Sequence, residues 1–408
     1  MTPLIERKLL QLQETASEPF CAYLYDLDAL AAHARQMHEA LPANCELFYA
    51  AKANPMAPIL DTLAPVVDGF EAASGGELTW LAERHPRQRL LFGGPGKLES
   101  ELEAALQLGV ECIHVESLTE LERLAGLCVR LDCTASIMLR MNIPLDGLPS
   151  TRLAMGGKPT PFGLDPDDLP EALARVAGQP RLVLQGFHFH LMSHQLDRQA
   201  HLELMRLYFR TVKGWQAQYG LEVKVLNVGG GIGVDYLQPD RLFDWPGFCR
   251  ELEALIAAEQ MTGTRLRFEC GRFISAGCGY YVMEVLDIKR NLGEWFAIAR
   301  GGTHHFRTPA AQGHDHPFHL LRGRQPAQLR DASVTLVGQL CTPKDVLARH
   351  QPIGELAIGD WLVFRHAGAY AWNISHQHFL MHPAPEQIFL GEQHPCSDHS
   401  QATTTGCY

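Results

Sequence analysis

Between residues 35 and 280 a short apolar run recurs eight times, and amphipathic stretches fill many of the gaps. The runs cover 46–51, 66–71, 89–92, 112–115, 135–141, 182–191, 223–228 and 265–269. Helical patterns lie between several of them, at 102–108, 118–127, 202–219 and 248–259. Alternating strand and helix delivers parallel strands joined by helical crossovers. Eight such units are what a (β/α)8 TIM barrel requires.

Past residue 280 the pattern changes to strand-like runs at 280–290, 295–299, 332–337 and 361–364, separated by Gly and Pro. This reads as an all-β domain, a barrel or a sandwich. The early run 22–26 is expected to join it. The predicted organisation is a barrel over 30–278 and a β-domain made of 1–29 and 279–408, a division that suits a 408-residue chain.

The formal charge of −11 argues against a nucleic-acid or anionic-membrane partner, since both need a basic face. No run of eighteen apolar residues is present. Residues 1–12 lack the basic start and apolar core of a signal peptide, so a cytoplasmic location is expected. The 11 cysteines include no Cys-x-x-Cys, which fits reduced thiols better than a disulfide framework.

A barrel places its chemistry at the C-terminal ends of its strands. Those ends carry Lys52, Glu71, His190, Gly229–Gly231, and Glu269 with Arg272. A lysine there either snorkels to water or, partly desolvated, becomes a nucleophile able to form a Schiff base. Three consecutive glycines let the backbone approach an anion, although many such turns are only tight turns. His188 and His190 share one face of a strand, where they are either satisfied core histidines or a wall against a ligand. Glu269 and Arg272 are either a surface ion pair or an acid for a cationic ligand atom and a guanidinium for an anionic group. In the β-domain, Cys341 is a small hydrophobe or a proton donor, and Tyr370 caps a phosphate or fills core.

Taken in order, the motifs are Tyr49-Ala50-Ala51-Lys52-Ala53-Asn54, Gly69-Phe70-Glu71-Ala72-Ala73-Ser74 with Glu77, His190 with Ser193, Gly229-Gly230-Gly231, Glu269 with Gly271-Arg272, Cys341 with Asp345, and Gly368-Ala369-Tyr370. This series, from about residue 20 to 390, resembles the fold-type III pyridoxal-phosphate decarboxylases, which include the diaminopimelate and ornithine decarboxylases and share the alanine-racemase-like barrel. The resemblance implies pyridoxal 5'-phosphate as cofactor and Lys52 as its covalent anchor. It implies that His190 stacks on the cofactor ring and that Glu269 pairs with the pyridine nitrogen. Gly229, Gly230, Gly231, Ser193, Gly271, Arg272 and Tyr370 correspond to cofactor-binding positions, mostly around the phosphate. Glu71 and Glu77 match acidic positions near the lysine. Cys341 matches a proton-donating cysteine that comes from the neighbouring subunit, so a homodimer is expected.

Three departures bear on the substrate. Cys270 replaces the proline of Glu-Pro-Gly-Arg, Thr342 replaces the glutamate of the diaminopimelate enzymes, and Thr303-His304-His305-Phe306-Arg307-Thr308-Pro309 replaces Asn-Asp-Leu-x-Arg-Pro. The resemblance then favours a subgroup acting on amino-acid conjugates, including carrier-bound glutamate and the citryl-diaminopropionate of carboxylate siderophore pathways, the latter preferred. Arg307, His304, Thr342 and Asp345 are the expected substrate residues, with a wet histidine-rich loop receiving a citryl group. The alternatives are a diaminopimelate- or ornithine-type decarboxylase and an amino-acid racemase, against which the Cys341–Asp345 motif weighs. His304, His305, His314, His316 and His319 also raise a zinc site, but adjacent histidines diverge on a strand, and no metal is expected. The tail with Cys396, His399 and Cys407 is expected to be disordered.

Overall fold

The computed structural model describes residues 1–16, 18–145, 153–154 and 156–392. The tail cysteines and His399 lie outside them. The chain divides into a barrel unit, residues 32–233 and 242–274, and a β unit, residues 1–31, 234–241 and those from 275 onward.

Eight parallel strands close the barrel. They are β1 (Cys45–Ala50), β2 (Gly69–Ala72), β3 (Arg89–Phe92), β4 (Cys112–Val115), β5 (Ala135–Arg140), β6 (Leu182–His188), β7 (Val225–Gly229) and β8 (Arg265–Cys270). Each follows its predicted run, and β8 returns to β1 with Phe268 opposite Leu47 and Glu269 opposite Phe48. Strands covered on both faces need near-continuous apolar text, which is why the runs were visible. Phe48, Leu91, Cys112, Met138 and Val225 pack together inside. Gly69 is required there, because a Cβ would collide with the Phe48 ring.

The N-terminal ends of the strands are locked by charge. Arg267, 3% exposed, donates to Glu46 Oε2 at 2.7 Å and pairs with Glu111. Arg89 donates to Glu46 Oε1 at 2.9 Å and also pairs with Glu111. Both guanidiniums lie over the Phe48 ring. Of these only Arg267 is deeply buried, so losing both its acids would leave an unpaired buried charge, a loss of about 3–5 kcal/mol.

Several helices begin on side-chain caps. Ser74 accepts from Glu77 N, Ser117 from Glu120 N, and Asp197 from Ala200 N. Three end on left-handed glycines, Gly109, Gly220 and Gly313. Among the described residues no helix is long and apolar enough to cross a membrane.

The β unit holds an eight-stranded sheet. Its main path runs Phe318–Leu321, Trp361–Phe364, Gly279–Asn291, Glu294–Ala299, Leu329–Val337, Val346–Leu356. Cys21–Asp26 pairs with Gly279–Asn291 and with Glu386–Leu390, so the early run joins this unit. Phe318–Leu321, Val346–Leu356 and Glu386–Leu390 were not anticipated. Pro352 and the polar stretch Arg349-His350-Gln351 hide Val346–Leu356, where Pro352 sits opposite Ser333. The N-terminal helix Pro3–Thr15 buries Ile5 and Leu9 against Phe20 and Trp361.

Candidate active site

Lys52 lies in the single 3-10 turn Ala51–Ala53 that follows β1. Ala51 and Ala53 bury their methyl groups and turn the lysine, half-exposed, toward the acid that ends the next strand. Its Nζ donates to Glu71 Oε2 at 2.9 Å and Oε1 at 3.2 Å. Glu71 is 3% exposed, so the lysine compensates a charge that burial would otherwise disfavour. Glu77 has a structural task, since its Oε2 accepts from Ala73 N at 2.8 Å.

Glu269, near the end of β8, is buried among neutral polar groups. Asn227 on β7 donates to its Oε1 at 2.7 Å. His188 Nε2 lies 3.4 Å from Oε2 and His114 Nδ1 3.7 Å from Oε1. Burial foremost, then the Glu71 carboxylate, pushes the Glu269 carboxyl up, while Lys52 and the Asn227 hydrogen bond oppose the rise. Burial foremost also holds both imidazoles well below their ordinary range, so they are neutral. An acid in this setting favours a proton or a cationic partner.

His190 follows β6, and its Nδ1 accepts from Gly230 N at 3.3 Å. That bond places its proton on Nε2. Burial, then the charges of Arg140 and Lys52, lowers its pKa to about 3, leaving a flat neutral ring. The glycine turn after β7 is held by Asn227, whose Oδ1 accepts from Gly229 N at 2.9 Å. Gly229 and Gly231 have φ of 67° and 80°. A Cβ on Gly230 would collide with the Glu269 carbonyl, and one on Gly231 with that of Met192. Ser193 follows Met192 in the short strand Met192–Ser193. Arg272 opens the four-residue helix Arg272–Ser275, immediately after β8. Gly271 serves packing, because a Cβ there would lie 2.8 Å from the Ala53 methyl and press the Lys52 turn away.

Sequence reasoning missed a second layer at the same strand ends. Arg140, ending β5, donates to Glu116 Oε1 at 2.7 Å, and Glu116 also accepts from Gly94 N and Gly163 N at 3.0 Å each. Lys97, 4% exposed, donates to Gly94 O, His114 O and Glu120 Oε1 at 2.6–2.8 Å. Their position at strand ends was the available signal.

In the β unit, Cys341 is exposed and Thr342 half-buried, in the turn between Leu329–Val337 and Val346–Leu356. Asp345, an expected substrate residue, is engaged by the backbone and a side chain of the β unit. It is 2% exposed, and its oxygens accept from Thr303 N at 2.7 Å, Thr303 Oγ1 at 2.8 Å and Leu340 N at 2.8 Å. It ties the Cys341 turn to the segment before His304. The histidine loop is not wet, for His304, His305 and His316 are 1–2% exposed. Nor is it one cluster. His304 meets His305 and His382, whereas His314 and His316 meet Tyr236. Among the described residues the group whose ligand atoms lie within 4.8 Å of one another is His114, His188 and Glu269. Arg307 is exposed, and its backbone N donates to Ser375 Oγ at 3.0 Å. Tyr370 is half-buried with φ of 48°, and its carbonyl accepts from Thr308 Oγ1 at 2.7 Å.

Residues 27–276 match the family model for the pyridoxal-binding domain of pyridoxal-dependent decarboxylases. The chain belongs to that family. This decarboxylase is 43% identical to the 2-[(L-alanin-3-ylcarbamoyl)methyl]-2-hydroxybutanedioate decarboxylase of Staphylococcus aureus, over 95% of this chain and 98% of that one. It is 32% identical to the L-glutamyl-[BtrI acyl-carrier protein] decarboxylase of Niallia circulans, over 94% and 91%. The crystal structure of Helicobacter pylori diaminopimelate decarboxylase complexed with L-lysine superposes with a TM-score of 0.81 at 27% identity, covering 95% and 94%.

Membership makes the protein a carboxy-lyase that uses pyridoxal 5'-phosphate. The barrel residues fit that group. A glycine turn that no Cβ could enter offers backbone N–H groups to a phosphate, and a buried acid with raised proton affinity suits a pyridine nitrogen.

Proposed function

We propose that this decarboxylase removes the α-carboxylate of a citryl-diaminopropionate-type conjugate, an intermediate of carboxylate siderophore assembly. The observation carrying this reading is 43% identity, over nearly the full length of both chains, to an enzyme named for that substrate. The departures at Thr342 and His304 support it, since each removes a residue type that the diaminopimelate enzymes carry. A cytoplasmic homodimer completes the reading, with Cys341 supplied by the second copy.

When bound, pyridoxal phosphate supplies an electron sink for the pair released as the carboxylate leaves. Lys52 Nζ is the covalent anchor, and Glu71 is the carboxylate that takes or returns its proton. Glu269 holds a proton at the pyridine nitrogen, with His114, His188 and Asn227 fixing the carboxyl and keeping water from it. His190 supplies a flat neutral face. The Gly229–Gly231 amides, Ser193 and Arg272 would hold the phosphate, a role the family resemblance extends to Tyr370. The Cys341 thiol delivers a proton to Cα after carbon dioxide departs, and Arg307 pairs with a substrate carboxylate.

The test is carbon dioxide release from purified holoenzyme offered citryl-diaminopropionate, meso-diaminopimelate, L-ornithine or L-lysine. Release from the conjugate at least about a hundredfold faster than from the free amino acids is expected. Faster turnover of diaminopimelate, or inversion at Cα without carbon dioxide, would overturn the reading.

A further inference from the structure

Two thiols that the reaction does not use meet at the end of one barrel helix. The helix Leu118–Arg130 carries Cys128 in its last turn, and Cys133 follows in the turn that leads to β5. Cys133 N donates to Cys128 O at 3.1 Å, and Asp132 N donates to Val129 O at 3.3 Å. Asp132 has a φ of 51°. A bond from the sixth residue to the first, around one from the fifth to the second, with the fifth left-handed, is the Schellman closure of a helix. That closure sets the side chains of its first and last residues against each other, frequently as a hydrophobic pair.

Here the pair is Cys128 and Cys133. A disulfide spans Cα atoms roughly 4.4–6.8 Å apart, and the backbone hydrogen bond between the two residues holds them within that reach. The thiols also sense each other, since burial foremost, then the adjoining Cys133, pushes the Cys128 thiol up to about 11. Arg181 steadies the turn, with Nη2 donating to Asp132 Oδ1 at 2.6 Å and Nη1 to Cys133 O at 3.4 Å. Its guanidinium opposes the rise at Cys128, because a nearby cation favours a thiolate. Cys128 is buried and Cys133 half-buried, so an oxidant from solvent meets Cys133 first.

We propose that Cys128 and Cys133 are a peroxide-responsive dithiol whose disulfide clips the end of the helix Leu118–Arg130. Hydrogen peroxide gives one oxygen to the Cys133 sulfur, forming a sulfenic acid, and leaves as water. The Cys128 sulfur then attacks the Cys133 sulfur, the S–O bond breaks, and a second water departs with the Cys128 proton. Two thiols lose two protons and two electrons, and one peroxide becomes two waters. The helix turn that receives Lys97 through Glu120 is at the other end, so the clip stiffens the barrel wall without touching a group assigned to the reaction. The inference stands whichever amino acid or conjugate is the substrate.

The test is holoenzyme treated with hydrogen peroxide, alkylated and digested with trypsin. Cleavage after Arg130 parts the two cysteines, so only a disulfide keeps their peptides joined. The joined pair is expected, about 2 Da lighter than the two free peptides together, and dithiothreitol should part it. The oxidised protein should melt about 4–8 °C higher than the reduced one. Cys133→Ser and Cys128→Ser should each abolish both the joined pair and the gain. Should Cys128→Ser fail to fold, the variant at the half-buried Cys133 decides. Sulfinic acid at Cys133 beside an unmodified Cys128, a bond from either to another cysteine, or a joined pair without the gain in melting temperature overturns the proposal.

Discussion

Asn227 Nδ2 donates to Glu269 Oε1 at 2.7 Å, while Asn227 Oδ1 accepts from Gly229 N at 2.9 Å. One amide therefore fixes both the acid and the glycine turn. Asn227→Ala should lower cofactor affinity about 10- to 100-fold with the barrel folded, because two buried groups lose their partner. Fluorescence titration of apoenzyme with pyridoxal phosphate, with circular dichroism as control, checks this. Unchanged affinity would show that the two contacts are idle.

Borohydride reduction of the holoenzyme should fix the cofactor on Lys52, read by peptide mass spectrometry. Lys52→Ala should lose the visible band and the label. A label on another lysine would refute the anchor.

Cys341→Ala should slow turnover about 100-fold or more, the scale of a lost general acid, and leave cofactor binding intact. Asp345→Ala should act at a distance on the same turn. It strips partners from Thr303 N, Thr303 Oγ1 and Leu340 N, and a loss of about 3 kcal/mol in stability is expected in thermal melts.

His201 gives the barrel an acid sensitivity. It is 1% exposed, packed on Phe248, and burial lowers its pKa from 6.5 to about 4. The unfolded chain then binds the proton more readily than the folded one. Stability should be fully present above about pH 6.5 and fall toward pH 4, by at most about 3 kcal/mol from this group. Denaturant melts across that range should show a shallower slope for His201→Phe. An unchanged slope would assign the sensitivity elsewhere.

The barrel and its strand-end chemistry were legible because strand text is periodic and because the ends of strands are where a barrel works. Lys52, His190, Glu269 and the glycine turn could be found by counting. His114 could not, because a single histidine inside Cys112–Val115 reads as core, and its 3.7 Å approach to Glu269 exists only once the barrel closes. Lys97 was hidden for a similar reason, since from a loop it reaches two carbonyl oxygens and a glutamate in the first turn of the helix Leu118–Arg130. The burial of His304 and His305 depends on Asp345 and Tyr281, which lie far away in sequence. Asp345 was seen as a motif residue, but what its carboxylate touches is a fact of three dimensions.

The buried Lys97 sets a practical limit on redesign. Its ammonium, with Glu120 and the Arg140–Glu116 pair, fastens the rim of β3, β4 and β5, so random variation there would scramble several strand ends together. Arg307 and Cys341 are exposed, and Thr342 Oγ1 accepts only locally among the described residues, from Lys344 N at 3.4 Å. A library aimed at new substrates belongs at Arg307 and Thr342, and one screened for robustness should leave Lys97 alone.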